Sequence, residues 1–151
     1  MKPLGIAIAE DDWFLGEYLC GELAALGHAV VGRARTGDEL INLVVRERPD
    51  LVLVDVRLAD GSDGLAAAKE IQERFHIPAV ATTGHLTAAD AEAAGLLGIL
   101  SKPYTSQGLR AVLEEAAAWL ERRLEQTLPE ALIPVRRAIR HVESRTGFCL
   151  S

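Results

Sequence analysis

The stretch L-V-L-V-D-V-R-L-A-D-G-S-D-G, from Leu51 to Gly64, decides how this chain folds. Four consecutive apolar residues, Leu51 to Val54, run into Asp55, and the chain then breaks into Arg57, Ala59, Asp60, Gly61, Ser62, Asp63 and Gly64. A short apolar run without alternation, bounded by turn residues, predicts a strand covered on both faces, as the strands of parallel sheets are. Ligands of such sheets bind at the carboxyl ends of the strands, so Asp55 stands where a reactive group would stand. An isolated Val-Asp pair would more often only open a turn. The acids elsewhere in the chain change that balance.

Outward from this strand, the same layout recurs. Leu4 to Ala9 is an apolar run ending in Glu10, Asp11 and Asp12, of which Asp12 is placed to cap the helix that follows. From Trp13 that helix carries Leu15, Leu19, Leu23 and Leu26 at helical spacing, with Gly27 marking its end. His28 to Gly32 reads as a second strand, and Thr36 with Glu39 forms a capping box for a helix bearing Leu40, Leu43 and Val44. After the central strand come a helix over Leu65 to Phe75 and a strand over Ala79 to Thr83. A helix poor in apolar anchors follows over Thr87 to Ala94, then a strand over Leu96 to Leu100, ending in Ser101, Lys102 and Pro103. A long helix runs from Ser106 to about Gln126 with Leu109, Val112, Leu113, Ala116, Leu120 and Leu124 on one side. Strict alternation of strand and helix predicts an α/β fold, a five-stranded parallel sheet with helices on both faces.

Composition narrows the function. At 151 residues the chain suits one domain with a sizeable core. Its net charge of −6 is uneven, residues 127–151 being basic and the rest more acidic than the total. Nucleic acid needs clustered cations, so an acidic body argues against it as a partner. No run approaches the length needed to cross a bilayer, and the acids at positions 10 to 12 arrive too early for a secretory signal. Cys20 and Cys149 lack metal-like spacing and read as reduced thiols of a cytoplasmic protein.

If the first and third strands are neighbours, Glu10, Asp11 and Asp55 meet at one edge of the sheet. Three carboxylates at one point repel, and a cation offsets them. Mg²⁺, a hard ion that takes one or two carboxylates and keeps several waters, suits such a place. Lys102 adds a positive charge and Thr83 a hydroxyl. A carboxylate nucleophile in these surroundings can receive a phosphoryl group, forming an acyl phosphate.

The acid pair in A-E-D-D, Asp55 after L-V-L-V, Thr83 in P-A-V-A-T-T-G and Lys102 in L-S-K-P stand in an order and at distances that resemble the receiver domains of two-component response regulators. The resemblance covers about residues 4 to 125. It implies a flavodoxin-like, CheY-like sheet in the order 2-1-3-4-5 and assigns roles residue by residue. Asp55 is the phosphoacceptor, Asp11 a direct Mg²⁺ ligand, Glu10 a ligand through water, and Arg57 a ligand through its backbone carbonyl. Thr83 and Lys102 bind the phosphoryl group. The implied partner is a sensor histidine kinase or a histidine phosphotransfer protein, and the chain catalyses nothing beyond its own phosphorylation and dephosphorylation.

Three features depart from the family pattern. Ile99 stands where many receivers have a switch aromatic, three residues before the Lys. The loop after Asp55 has Ala59 in place of the common Pro and is one residue longer than the commonest form. A-T-T-G-H resembles the Thr-Gly-aromatic signature of a single-domain subgroup lacking the aromatic switch, which would make His85 the switch residue, unless it is an ordinary loop histidine. Residues 1–126 are expected to form the receiver and 127–151 a short helical extension without an output domain. Ile133, Val135, Ile139 and Val142 in that extension either cover the domain's own surface or join two copies into a homodimer. Two other readings stand beside this one: a haloacid-dehalogenase-like phosphatase, which wants a second Asp where Arg57 stands, and a receiver fold used as an unphosphorylated interaction module. The downstream protein is not legible in the sequence.

Overall fold

The computed structural model describes residues 2–84 and 88–127. Strands β1 (Gly5–Ala9), β2 (Ala29–Ala34), β3 (Leu51–Asp55), β4 (Ala79–Thr83) and β5 (Gly98–Ser101) alternate with helices α1 (Trp13–Ala25), α2 (Gly37–Glu47), α3 (Gly64–Phe75), α4 (Ala88–Ala93) and α5 (Ser106–Thr127). The strands form one sheet in the order β2-β1-β3-β4-β5, every neighbouring pair parallel. The parallel sheet is the one the strand pattern predicts, and its order is the flavodoxin-like one that the resemblance to receiver domains implies.

The sheet divides the core in two, and the two-residue period of the strands decides which side chain enters which half. Ala7, Ala9, Val52, Val54 and Ala79 meet Leu40, Leu43 and Val44 of α2 and Ala67, Ala68 and Ile71 of α3. Ile6, Ile8, Leu51, Leu53, Val80 and Leu100 point the other way, against Leu19 and Leu23 of α1 and Leu109, Leu113 and Ala116 of α5. The small residues of β1 lie under α2 and the large ones under α1 and α5. β3, central and buried along its whole length, carries large aliphatics on both sides.

Local signals end the helices where the sequence puts them. Asp12 accepts a hydrogen bond from the Leu15 N–H, the N-cap expected of it. At the far end of α1, Gly27 has φ +89°. Its N–H donates to Ala24 O and that of His28 to Leu23 O, a pairing that needs the left-handed residue glycine adopts most readily. Thr36 caps α2 by accepting from the Glu39 N–H, but the return bond of the expected box is displaced by one residue: Glu39 Oε2 accepts from the Arg35 N–H.

Some boundaries differ from the sequence reading. β2 runs on through Arg33 to Ala34, beyond the expected end at Gly32. Arg33 is tolerated in this edge strand because Glu17 and the Trp13 carbonyl hold its guanidinium. β5 begins at Gly98 and not at Leu96; the N–H groups of Leu96 and Leu97 are used by Ala91 O and Ala79 O before the ladder with β4 starts. Leu124, placed on the apolar side of α5, is exposed, because the helix outruns the sheet there. Thr87, His85 and the extension beyond Thr127, with its expected helix and dimer contact, lie outside the described residues.

Candidate metal and phosphoacceptor site

Three strands aim their last side chains into one place. Glu10 continues the Ile6, Ile8 series of β1, Asp55 the Leu51, Leu53 series of β3, and Lys102 follows Leu100 of β5 by two. The period that buries those aliphatics against α1 and α5 therefore brings two acids and a lysine to the same side of the sheet edge. Lys102 Nζ lies 2.6 Å from Asp55 Oδ2 and 3.7 Å from Glu10 Oε2. The other Asp55 oxygen, Oδ1, accepts from the Arg57 N–H at 3.0 Å. One carboxylate oxygen each from Glu10, Asp11 and Asp55 lies within 4.8 Å of the other two.

The cluster is electrostatically incomplete by itself. Glu10 is 4% exposed, and its Oε2 is buried without a hydrogen-bond partner among the described residues. Burial, then a hydrogen bond to Asp55 and the charge of Asp55, push the Glu10 carboxyl up to about 8, against the pull of Lys102. An acid held protonated beside two further carboxylates is what a hard divalent cation would relieve. The donor set, all oxygen with exposed Asp11 open to water, fits Mg²⁺.

The loop after Asp55 is braced from two sides. A Cβ on Gly64 would stand 1.9 Å from the Asp55 carbonyl oxygen, so only glycine lets α3 begin this close to the strand. Asp63 caps α3 through the Leu65 and Ala66 N–H groups. The additional loop residue is absorbed in a short 3₁₀ turn, Ala59–Gly61, with Asp60 at φ 58° and Gly61 at φ +69°. Ala59 N–H donates to Arg35 O, a bond that a proline at this position could not make. Ser62 Oγ accepts from the Gly37 N–H at 2.7 Å, tying the loop to the start of α2.

Thr83 ends β4, half-buried, and its carbonyl accepts from the Lys102 N–H at 2.9 Å, which fixes the backbone that carries the lysine. Buried Thr82 is the register partner of Asp55. Ile99 is not part of the carboxylate cluster; it lines a groove between β5 and α5. Two features escaped the sequence reading. Tyr104 follows Lys102 by two, its hydroxyl is buried without a hydrogen-bond partner among the described residues, and burial followed by the charges of Glu10 and Asp55 raises its pKa. The only sequence signal for it is that spacing from the lysine. Beside it a hollow is lined by Leu15, Tyr18, Lys102, Pro103 and Tyr104, and at the start of α1 Trp13 and Phe14 stand 62% and 80% exposed.

Comparison with known proteins bears on the family and the fold. The profile of the response regulator receiver domain matches residues 6–114. Phyllosphere-induced regulator PhyR of Methylorubrum extorquens is 34% identical over 116 residues, which cover 74% of this chain and 42% of that protein. Transcriptional regulatory protein PdtaR of Mycobacterium tuberculosis is 32% identical over 119 residues, 77% of this chain and 58% of the relative. The chain thus spans about half the length of these curated relatives. Among solved structures, the response regulator PhyR from Brucella abortus superposes with a TM-score of 0.72 at 30% identity, over 81% of this chain and 51% of that one. PhyR from Bartonella quintana, described as an anti-anti-sigma factor, gives 0.73 at 25% identity over 85% and 53%. Among the described residues no helix is long and apolar enough to cross a membrane. With the five-stranded sheet, the carboxylate cluster at its edge and the profile match over most of its length, this chain belongs to the response regulator receiver family.

Proposed function

We propose that the chain is a phosphorylation-dependent signalling switch in which Asp55 accepts a phosphoryl group from a histidine kinase or histidine phosphotransfer protein. One observation carries the reading: a strand-end carboxylate held by Lys102 at 2.6 Å, with Glu10 and Asp11 oxygens within 4.8 Å. In the transfer, a carboxylate oxygen of Asp55 forms the new bond to phosphorus. The bond from phosphorus to the donor's imidazole nitrogen breaks, and its electron pair stays on that nitrogen. The Arg57 N–H orients the carboxylate, and Lys102 balances charge on the phosphoryl oxygens, with Thr83 as a hydroxyl donor at the end of the adjoining strand. Glu10, Asp11, Asp55 and the Arg57 carbonyl would hold Mg²⁺, which neutralises charge as the group is transferred. The protein then catalyses only its own phosphorylation and dephosphorylation, and its output is a change in protein contacts.

Incubation with acetyl phosphate and Mg²⁺ tests this directly. Intact-mass analysis should show one added phosphoryl group, sensitive to hydroxylamine and absent from Asp55→Asn; undiminished labelling of that variant would place the acceptor elsewhere. The donor's docking face follows from the exposed aromatics. Trp13 and Phe14, packed edge to face at 5.4 Å directly after the acids, offer an apolar anchor at the start of α1, the helix that carries Leu15 and Tyr18 of the hollow. Replacing both with alanine should slow transfer from a phosphohistidine protein about tenfold or more while leaving labelling by acetyl phosphate intact.

A further inference from the structure

At the acidic end of the sheet two buried polar atoms are complementary, and neither has a hydrogen-bond partner among the described residues. One is an acceptor, Glu10 Oε2, and the other a donor, the Tyr104 hydroxyl. Asp55 is already supplied, since Lys102 Nζ donates to its Oδ2 at 2.6 Å and the Arg57 N–H to its Oδ1 at 3.0 Å. Lys102 Nζ stays 3.7 Å from Glu10 Oε2, too far for a hydrogen bond.

Tyr104 is fixed on both sides along the chain. Two residues before it the Lys102 N–H donates to Thr83 O at 2.9 Å, and one residue after it Thr105 Oγ1 accepts from the Gly108 N–H at 3.0 Å, at the start of α5. The ring packs against the half-core that contains Ile8, Leu53 and Leu100, and lies 6.2 Å from the ring of Tyr18 on α1. Glu10 follows Ile8 by two and Asp55 follows Leu53 by two, so the ring occupies the half of the molecule that holds the acids. Among charged groups, Glu10 acts on the hydroxyl most and Asp55 next. Packing needs only the ring, which phenylalanine would supply equally well. The hydroxyl has no part in it.

We propose that Tyr104 is a positioning residue of the metal site, its hydroxyl donating to Glu10 Oε2 and so holding that carboxylate for a hydrated Mg²⁺. A buried carboxylate oxygen without a donor is costly, and the phenol is a donor that no other group claims among the described residues. A hydrogen bond to a metal-binding carboxylate sets its orientation, so that less of the ion's binding energy goes into ordering the side chain. The inference rests on the reading of Glu10, Asp11 and Asp55 as a Mg²⁺ site, and not on whether Asp55 accepts phosphate.

Urea unfolding of the full chain and of Tyr104→Phe, in EDTA and over a series of Mg²⁺ concentrations, tests it. In EDTA the midpoint of the variant should not fall below that of the parent, because the hydroxyl has no partner there to lose. The rise of the midpoint with Mg²⁺ should need about tenfold more Mg²⁺ in the variant. The same Mg²⁺ dependence in both proteins overturns the proposal. So does a variant weakened equally in EDTA and in Mg²⁺, which would give the hydroxyl a packing role. A parent whose midpoint ignores Mg²⁺ would remove the metal site and the proposal together, whereas phosphate taken up elsewhere than Asp55 would leave this comparison intact. Labelling of Tyr104→Phe by acetyl phosphate should lag at low Mg²⁺ and match the parent at saturating Mg²⁺. A deficit that saturating Mg²⁺ does not restore would place the hydroxyl on the phosphoryl group and not on Glu10, and would overturn the proposal.

Discussion

At the scale of single residues, Glu10 is an acid buried at the expense of the fold. Its carboxyl, an ordinary one when the chain is unfolded, is held up to about 8 in the fold, chiefly by burial. The native state therefore keeps a proton that the unfolded chain gives up. Glu10 costs no stability below the ordinary carboxylate range, progressively more as pH rises from there to about 8, and a constant amount above. Glu10→Gln should then stabilise the protein in EDTA by roughly 1–3 kcal/mol at pH 8.5 and by much less at pH 5, as urea unfolding would show. Added Mg²⁺ should stabilise the parent protein and leave the variant nearly unmoved. A variant weaker than the parent at pH 8.5 would mean that Glu10 is not strained.

His28 has the opposite dependence. Its Nδ1 accepts from the buried Leu4 N–H at 3.0 Å, Nε2 has no partner among the described residues, and burial lowers its pKa. The neutral ring is the one that fits, so its contribution is complete above the ordinary histidine range and is lost as pH falls below it. Unfolding midpoints that decline between pH 7 and pH 5 in the parent should decline less in His28→Gln.

Among the elements, the junction from β3 to α3 sets the position of Asp55. The Gly64 contact leaves no room for a methyl group against the Asp55 carbonyl. Gly64→Ala must push α3 away from the strand, with an expected loss of about 2–4 kcal/mol and slower labelling by acetyl phosphate than this loss alone explains. Ala59→Pro, which would restore the residue common in the family, should destabilise here by about 1–2 kcal/mol, since the bond to Arg35 O disappears. A gain in stability on that change would show the bond to be unimportant. The helices also differ in what holds them: α5 buries Leu109, Leu113, Ala116 and Ala117, while α4 has little apolar surface to bury.

For the molecule as a whole, the sheet is a wall between two half-cores. Ile71 belongs to the half under α2 and α3, Leu113 to the half under α1 and α5, and both are fully buried. Each truncation to alanine should cost about 2–5 kcal/mol. Because sheet backbone separates the sites, the double variant should lose the sum to within about 0.5 kcal/mol. A large deviation in urea titrations would indicate coupling across the sheet.

The sequence alone determined the order of strands and helices, the parallel sheet, and the candidate acids with their lysine. Those features are written in local pattern: apolar runs at strand length, caps such as Asp12 and Gly27, and turn residues after Asp55, each acting within a few residues of itself. Only the tertiary structure decided that Glu10, Asp55 and Lys102 share one side of the sheet edge, since this depends on strand order and on the parity of each strand's exit. It alone showed the displaced bond of Glu39, the use of the Ala59 N–H, the burial of the Tyr104 hydroxyl and the groove between β5 and α5. Each of these is a contact between segments far apart along the chain, and no local pattern encodes which distant atom will be met.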